Sequence, residues 1–195
     1  MSPLVYFVRH GETAWNAEFR LQGQADTEMT ARGRAQAVRN GRRLAELIDD
    51  PAGFDFVASP LRRTRETMEL VRTAMTLPAA GYRLEPILLE VHFGDWQGFT
   101  LDEIEARTPG STAARTRDKW GFLPPGAGAE SYDMLLRRVR PWFQELRRPT
   151  VAVTHGGVIR AMFRAVAGMP AAEAAGLEIP QDRVLAVRDR KLEWL

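Results

Sequence analysis

Two periodicities alternate along the chain. Short continuous runs of apolar, β-branched residues are each followed by a longer stretch whose apolar positions recur every three or four residues. The first run, Leu4 to Val8, predicts a strand. A Gly-containing loop follows as far as Thr30, which is placed to cap a helix over "ARGRAQAVRNGRRLAELI", where Ala, Val, Leu and Ile keep helical spacing. "PAGFD" ends that helix, "FDFVAS" predicts a second strand, and "PLRRTRETMELVRTAM" predicts a helix with Pro60 in its first turn.

A strand is expected near "RLEPILLEVHF", carrying Glu90 and, two residues on, His92; a short helix follows over Leu101 to Arg107. "FLPPGAGAES" reads as a loop within the domain, because Ser131 then caps a further helix, "YDMLLRRVRPWFQELR", with Pro141 placed to bend it. "TVAVT" predicts a strand and "GGVIRAMFRAVAG" the helix after it. "RVLAVRD" and "KLEWL" predict a closing pair of strands turning at Asp189-Arg190.

Strands alternating with helices predict an α/β fold: one three-layer domain over residues 1–195, with a largely parallel central sheet and helices on both faces. In such sheets ligands bind beyond the carboxyl ends of the strands. The groups leaving those ends are Arg9-His10-Gly11, Ser59 to Arg62, Glu90 or its neighbours, and His155-Gly156-Gly157. Two of the chain's three histidines thus stand in one setting, after a strand and before a glycine.

Composition narrows the class. A hydrophobic fraction of 45% and a charged fraction of 27% are ordinary for a globular protein. No apolar run is long enough to span a membrane, and no basic segment leads into an apolar one at the N-terminus, so a cytoplasmic protein is expected. The absence of cysteine removes disulfides, thiolate nucleophiles and Cys-based zinc sites. Lysine occurs only at Lys119 and Lys191, the remaining cations being arginine. That bias fits a GC-rich bacterial genome, though arginine is also the side chain that grips phosphate in a bidentate fork. Acidic residues are interspersed throughout and the net charge is only +2, which argues against a nucleic-acid partner. The sequence assigns no oligomeric state.

Two arginines, two histidines and a carboxylate gathered at one sheet edge suit a phosphoryl group. The arginines supply forked donors, a histidine supplies a nucleophilic nitrogen, and glycines after both histidines let the backbone come close. Gly156-Gly157 also opens a helix, whose free N–H groups favour anions. A metal site of two histidines and Glu90 is the rival, disfavoured by the arginines expected beside each histidine. A serine hydrolase is set aside for want of a G-x-S-x-G elbow. Taken singly, Arg62 reads as a solvated helix residue, Asn16 as a turn or capping residue, and His92 as a bystander.

The chain resembles the histidine phosphatase superfamily, the phosphoglycerate-mutase-like proteins. The resemblance rests on "RHGETAWN" (9–16) and continues in order through "LQGQAD" (21–26), "SPLRRTRET" (59–67), "LEVHFGDWQG" (89–98), "PPGAGAES" (124–131) and "VTHGGVIR" (153–160). It implies a phosphoglycerate-mutase-like fold, a small phosphomonoester as substrate, and no metal or other cofactor. His10 would be the nucleophile and become transiently phosphorylated. Arg9, Arg62 and His155 would surround the phosphoryl group, and Glu90 would act first as acid and then as base. Substrate contacts are implied for Arg9, Gly11, Glu12, Thr13 and Asn16. Gln22, Gly23, Arg62 and Gly156 complete them. "DTEMT", "GAES" and "DWQG" depart from common family patterns, Trp96 favouring a phosphatase and Gln97 a mutase. The compact segment Phe99 to Leu123 favours a pocket open to water, hence hydrolysis over transfer; a mutase and a non-catalytic phosphate binder are the alternatives.

Overall fold

The computed structural model describes residues 3–195, so the first two residues of the expected 1–195 span lie outside it. In chain order the elements are β1 (Val5–Arg9), α1 (Ala14–Ala17), α2 (Ala31–Leu47), β2 (Asp55–Ala58), α3 (Arg62–Ala74) and β3 (Arg83–Leu84). There follow α4 (Leu101–Arg107), α5 (Ser111–Arg117), α6 (Tyr132–Glu145), β4 (Thr150–Thr154), α7 (Gly156–Ala167), α8 (Ala171–Gly176), β5 (Val184–Arg188) and β6 (Lys191–Trp194).

These strands make one six-stranded sheet in the order β3-β2-β4-β1-β5-β6. β3, β2, β4 and β1 run parallel, while β5 and β6 close the far side antiparallel. Alternation along β1 sends Val5 and Phe7 to one face and Tyr6 and Val8 to the other. The first face packs against α6 and α7 through Leu135, Val158 and Met162, and the second against α2 and α3 through Leu44, Met68 and Val71. The three-layer α/β sandwich is thus as expected. The β5–β6 hairpin turns at Asp189 and Arg190, both at positive φ (45° and 64°), the geometry a two-residue turn needs to match strand twist.

Three local expectations need correcting. The strand expected near Glu90 is confined to Arg83–Leu84; Pro86 then opens a single 3-10 turn, and Glu90 and His92 lie on a loop. Proline removes a ladder donor and restrains the residue before it, so the apolar run Ile87-Leu88-Leu89 packs inward at Leu88 without joining the sheet. Second, α3 begins at Arg62, with Leu61 as its cap residue, so Pro60 stands outside the first turn. The Asp26 carboxylate reaches across to accept the Arg62 backbone N–H at 2.8 Å. Third, three short helices form where none was expected: α1, α5 and α8.

Candidate active site

β1 and β4 lie side by side, so the residues that leave them meet over one edge of the sheet. His10 follows β1 and His155 follows β4; their ring centroids are 5.3 Å apart and both side chains are buried. His10 Nδ1 lies 2.9 Å from the Gly11 carbonyl oxygen, an acceptor only, so Nδ1 carries the proton and Nε2 the lone pair. Burial, then Arg63 and Arg9, push the His10 imidazole well below its usual range, holding it neutral and nucleophilic.

A cavity of about 180 Å³ opens on His10, lined by Arg9, His10, Asn16, Gln22, Gly23, Arg63, Glu90 and Gly156 among others. The second arginine of the site is Arg63, where Arg62 was expected. The Arg62 side chain is 61% exposed, pairs with Glu28 at 3.2 Å and stands away from the cavity; that of Arg63 is fully buried. Arg63 is held by the carbonyls of Ala25 and Gly23 at 2.7 Å, by Asp26 at 3.1 Å, and by Nδ1 of His155 at 3.3 Å. The helical phase explains the choice. Arg63, Thr67 and Val71 share the inward face of α3, whereas Arg62 falls on the outward one. That phase was the available signal.

Arg9 donates to the Ile179 carbonyl at 2.7 Å. The Nε atoms of Arg9 and Arg63 are buried and have no protein acceptor, two charged donors unspent beside His10. Burial lowers both guanidinium groups; Arg9 comes down to about 10, with Arg160 the next cause, and so keeps its charge at neutral pH.

His155 does not line the cavity. Its Nδ1 accepts from Arg63 and its Nε2 donates to Ser59 Oγ at 2.8 Å, so the ring positions Arg63 and has no nitrogen left over. The same pairing leaves His155 without a lone pair for a His2Glu metal site. Among the described residues no cluster of three or more His, Asp or Glu side chains could hold a metal ion.

Glu90 sits at the cavity wall without a strand beneath it. Its Oε2 accepts the Gly157 N–H at 3.0 Å and Oε1 that of Val91 at 2.9 Å. The free N–H at the start of α7 thus receives the protein's own carboxylate, and a Cβ on Gly157 would lie 2.2 Å from Glu90 Oε1. Arg138, on α6, anchors the loop from behind by donating to the carbonyls of Ile87 and Leu89 at 2.6 and 3.1 Å while pairing with Glu130 at 2.8 Å.

Asn16 combines two roles. It completes the capping box of α1 with Thr13, and its Oδ1 accepts from Thr13 N–H and from Gln181 Nε2 at 3.0 Å, which turns its NH2 toward the cavity. Gln181, absent from the expected set, also donates to the His10 carbonyl at 3.1 Å. It arrives from the connection before β5 with only its contacts to identify it.

Gly11, Glu12 and Thr13 do not line the cavity. A Cβ on Gly11 would stand 2.2 Å from the Gly33 carbonyl oxygen, so this glycine serves the approach of α2. Glu12 faces the start of α2, accepting from Thr30 Oγ1 at 2.9 Å and pairing with Arg32. Thr13 Oγ1 accepts from Gln22. In the departing motifs, Gln97 Oε1 takes the Gln24 N–H at 2.7 Å, Trp96 stacks on Phe122, and Met29 is buried beside Thr67.

A family model described as the histidine phosphatase superfamily (branch 1) matches residues 5–192. The chain is 35% identical over 175 residues to a glucosyl-3-phosphoglycerate phosphatase of Mycolicibacterium vanbaalenii, covering 84% of this chain and 73% of that protein. It is 31% identical over 197 residues to a metal-independent phosphoserine phosphatase of Arabidopsis thaliana, covering 98% and 78%. A mycobacterial glucosyl-3-phosphoglycerate phosphatase solved with VO3 superposes with a TM-score of 0.80 at 30% identity, covering 100% of this chain and 97% of the other.

Proposed function

Because the chain belongs to the histidine phosphatase superfamily (branch 1), we propose that it hydrolyses a small phosphomonoester in the cytoplasm through a phosphohistidine on His10. It is a phosphatase of the histidine type, related to enzymes of that activity. His10 Nε2 attacks phosphorus, and the P–O bond to the leaving group breaks as Glu90 gives that oxygen its proton. Water then attacks the phosphohistidine, Glu90 takes a proton from it, and inorganic phosphate leaves with His10 restored. Arg9 and Arg63 hold the equatorial oxygens, with Asn16 NH2 a further donor, so charge is met by groups already in place. His155 acts by holding Arg63. No step calls on a metal ion.

The observation that carries this reading is the pair of buried, unpartnered Nε donors of Arg9 and Arg63 beside a neutral His10. A buried charged donor without an acceptor is costly, and an oxyanion seated between the two offsets that cost. The test is a rapid quench with a radiolabelled phosphomonoester. Acid-labile, base-stable label is expected on His10, with stoichiometric phosphate release in the steady state, and both vanish in His10→Ala. Label on another residue, full turnover in His10→Ala, or return of the label to an acceptor alcohol in preference to water overturns the reading.

A further inference from the structure

Arginine supplies all but two of the chain's 27 basic side chains, and one of the two lysines, Lys119, stands in the catalytic cavity. An arginine there would carry the same charge; only lysine can give up a proton and present a nucleophilic nitrogen. The backbone on the far side of Lys119 is fixed. The Asp118 carboxylate accepts the Gly121 N–H at 2.9 Å, and Trp120, buried, stacks on Tyr132 of α6 with ring centroids 5.7 Å apart. No step at His10 uses this amine.

Burial, then Arg160 of α7 and Arg115 of α5, push the Lys119 ammonium down to about 8, and among the described residues no carboxylate or hydrogen-bond acceptor offsets them. At pH 7 roughly one such amine in ten is neutral, against about one in a few thousand for an ordinary lysine. The amine also lies within reach of the phosphoryl end. The cavity it lines together with His10 is only about 180 Å³. Arg160, whose charge it feels, has Nη1 3.2 Å from where a Cβ on Gly156 would stand, and Arg9 Nε approaches the same point at 3.5 Å.

Resting on the phosphatase reading, we propose that Lys119 captures carbonyl groups: a compact phosphomonoester carrying an aldehyde, with its phosphoryl group seated at His10, forms an imine with Lys119 Nζ. The neutral amine adds to the carbonyl carbon and its two protons pass to the carbonyl oxygen. That oxygen leaves as water while the C=N bond forms. No oxidant or reductant enters, and hydrolysis reverses the step. A neutral imine also takes one positive charge out of the cavity, easing the repulsion with Arg115 and Arg160. Phosphorylated aldehydes are therefore held at both ends and leave more slowly than alcohols of the same shape.

The test traps the imine. The full chain is incubated with pyridoxal 5′-phosphate, used as a phosphomonoester that carries an aldehyde, then reduced with borohydride and mapped by peptide mass. Lys191, exposed on β6, is the internal reference. Label on Lys119 is expected to exceed that on Lys191 about tenfold or more, given the larger neutral fraction of its amine. Saturating inorganic phosphate is expected to lower the Lys119 label about tenfold by occupying the phosphoryl end. Pyridoxal, which lacks the phosphate, is expected to label Lys119 correspondingly less. In Lys119→Arg, which keeps the charge, the phosphate-sensitive imine absorbance is expected to vanish. Equal label on both lysines, label on Lys119 that phosphate does not displace, or an imine that survives Lys119→Arg overturns the capture. Trapping needs no turnover, so ethyl phosphate hydrolysis, followed in parallel, reports on the phosphatase reading alone.

Discussion

Arg63 Nη2 lies 3.3 Å from His155 Nδ1, and both side chains are buried. His155 thus holds in place the arginine on the inward face of α3, which lines the cavity with His10. Arg63→Lys keeps the charge and loses the fork, so turnover is expected to fall about tenfold or more, equivalent to ~1.4 kcal/mol of barrier. Arg62→Ala is expected to stay within about twofold of the parent. Steady-state kinetics on both variants, with melting curves to establish that each is folded, check the pair; the reverse result would return the site to Arg62.

Gln181 ties His10 and Asn16 together through one amide, and Asn40 in turn donates to the Gln181 carbonyl at 2.9 Å. Gln181→Leu releases the Asn16 amide, so kcat is expected to fall about tenfold with KM changed less than about threefold, and vanadate inhibition to weaken. Gln181→Glu sets an acceptor against two acceptors and is expected to be worse. A loss of melting temperature with unchanged kinetics would make Gln181 merely structural.

Glu90 is separable by leaving group. An alkyl phosphate leaves as a basic alkoxide that needs a proton in the transition state, whereas nitrophenolate departs without one. Glu90→Gln is expected to lower alkyl phosphate turnover by something like ~10²–10⁴-fold while retaining a nitrophenol burst. Equal losses in the phosphorylation step for both substrates would remove Glu90 as the acid.

Two buried histidines make the fold sensitive to acid. Both are pushed well below their usual range, chiefly by burial and then by Arg63. Below about pH 6.5 the unfolded chain takes up protons at these positions that the folded chain refuses, so stability falls as pH falls. Their joint contribution to the slope is at most ~2.7 kcal/mol per pH unit. Denaturant midpoints between pH 7.5 and 5.5 are expected to drop steeply, and less so in His10→Gln. A flat profile would mean that the imidazoles take up protons in the folded state as readily as in the unfolded one.

Long periodic segments were legible in the sequence: β1, α2, β4, α7 and the β5–β6 hairpin stand as their patterns predict. So was the meeting of His10, His155 and Arg9, because strand ends in a parallel sheet share an edge; Glu90 reaches the cavity from a loop. Errors arose where composition and geometry part. A short apolar run suggests a strand wherever it occurs, yet Ile87, Leu88 and Leu89 follow Pro86 and turn. In "LRRT" the two arginines are alike in chemistry, and only the helical phase distinguishes them. Of the short helices α4 was expected over its full length, whereas α1, α5 and α8, of four, seven and six residues, show no apolar period. Gln181 and Arg138 reach the site from distant parts of the chain, through contacts that no local spacing encodes.

The stretch between Gly98 and Glu130 is clasped to the body of the protein at both ends and tied to it in between by Glu103 on Arg20, Phe122 on Trp96 and the buried Trp120 on Tyr132. Gly98 N–H and Phe99 C=O clasp Leu21 at 2.8 and 3.0 Å, and Glu130 is secured by the His92 carbonyl and by Arg138. His10, both inner arginines and Glu90 are all fastened outside those bounds. A replacement for this stretch has to keep those ties, while the rest of it, Arg115 and Lys119 included, is open to change. Closing a segment twice as long between the same clasps costs only about 0.6 kcal/mol in chain entropy. A phosphatase built this way can acquire a new clientele by grafting one stretch of chain, with its chemistry inherited intact.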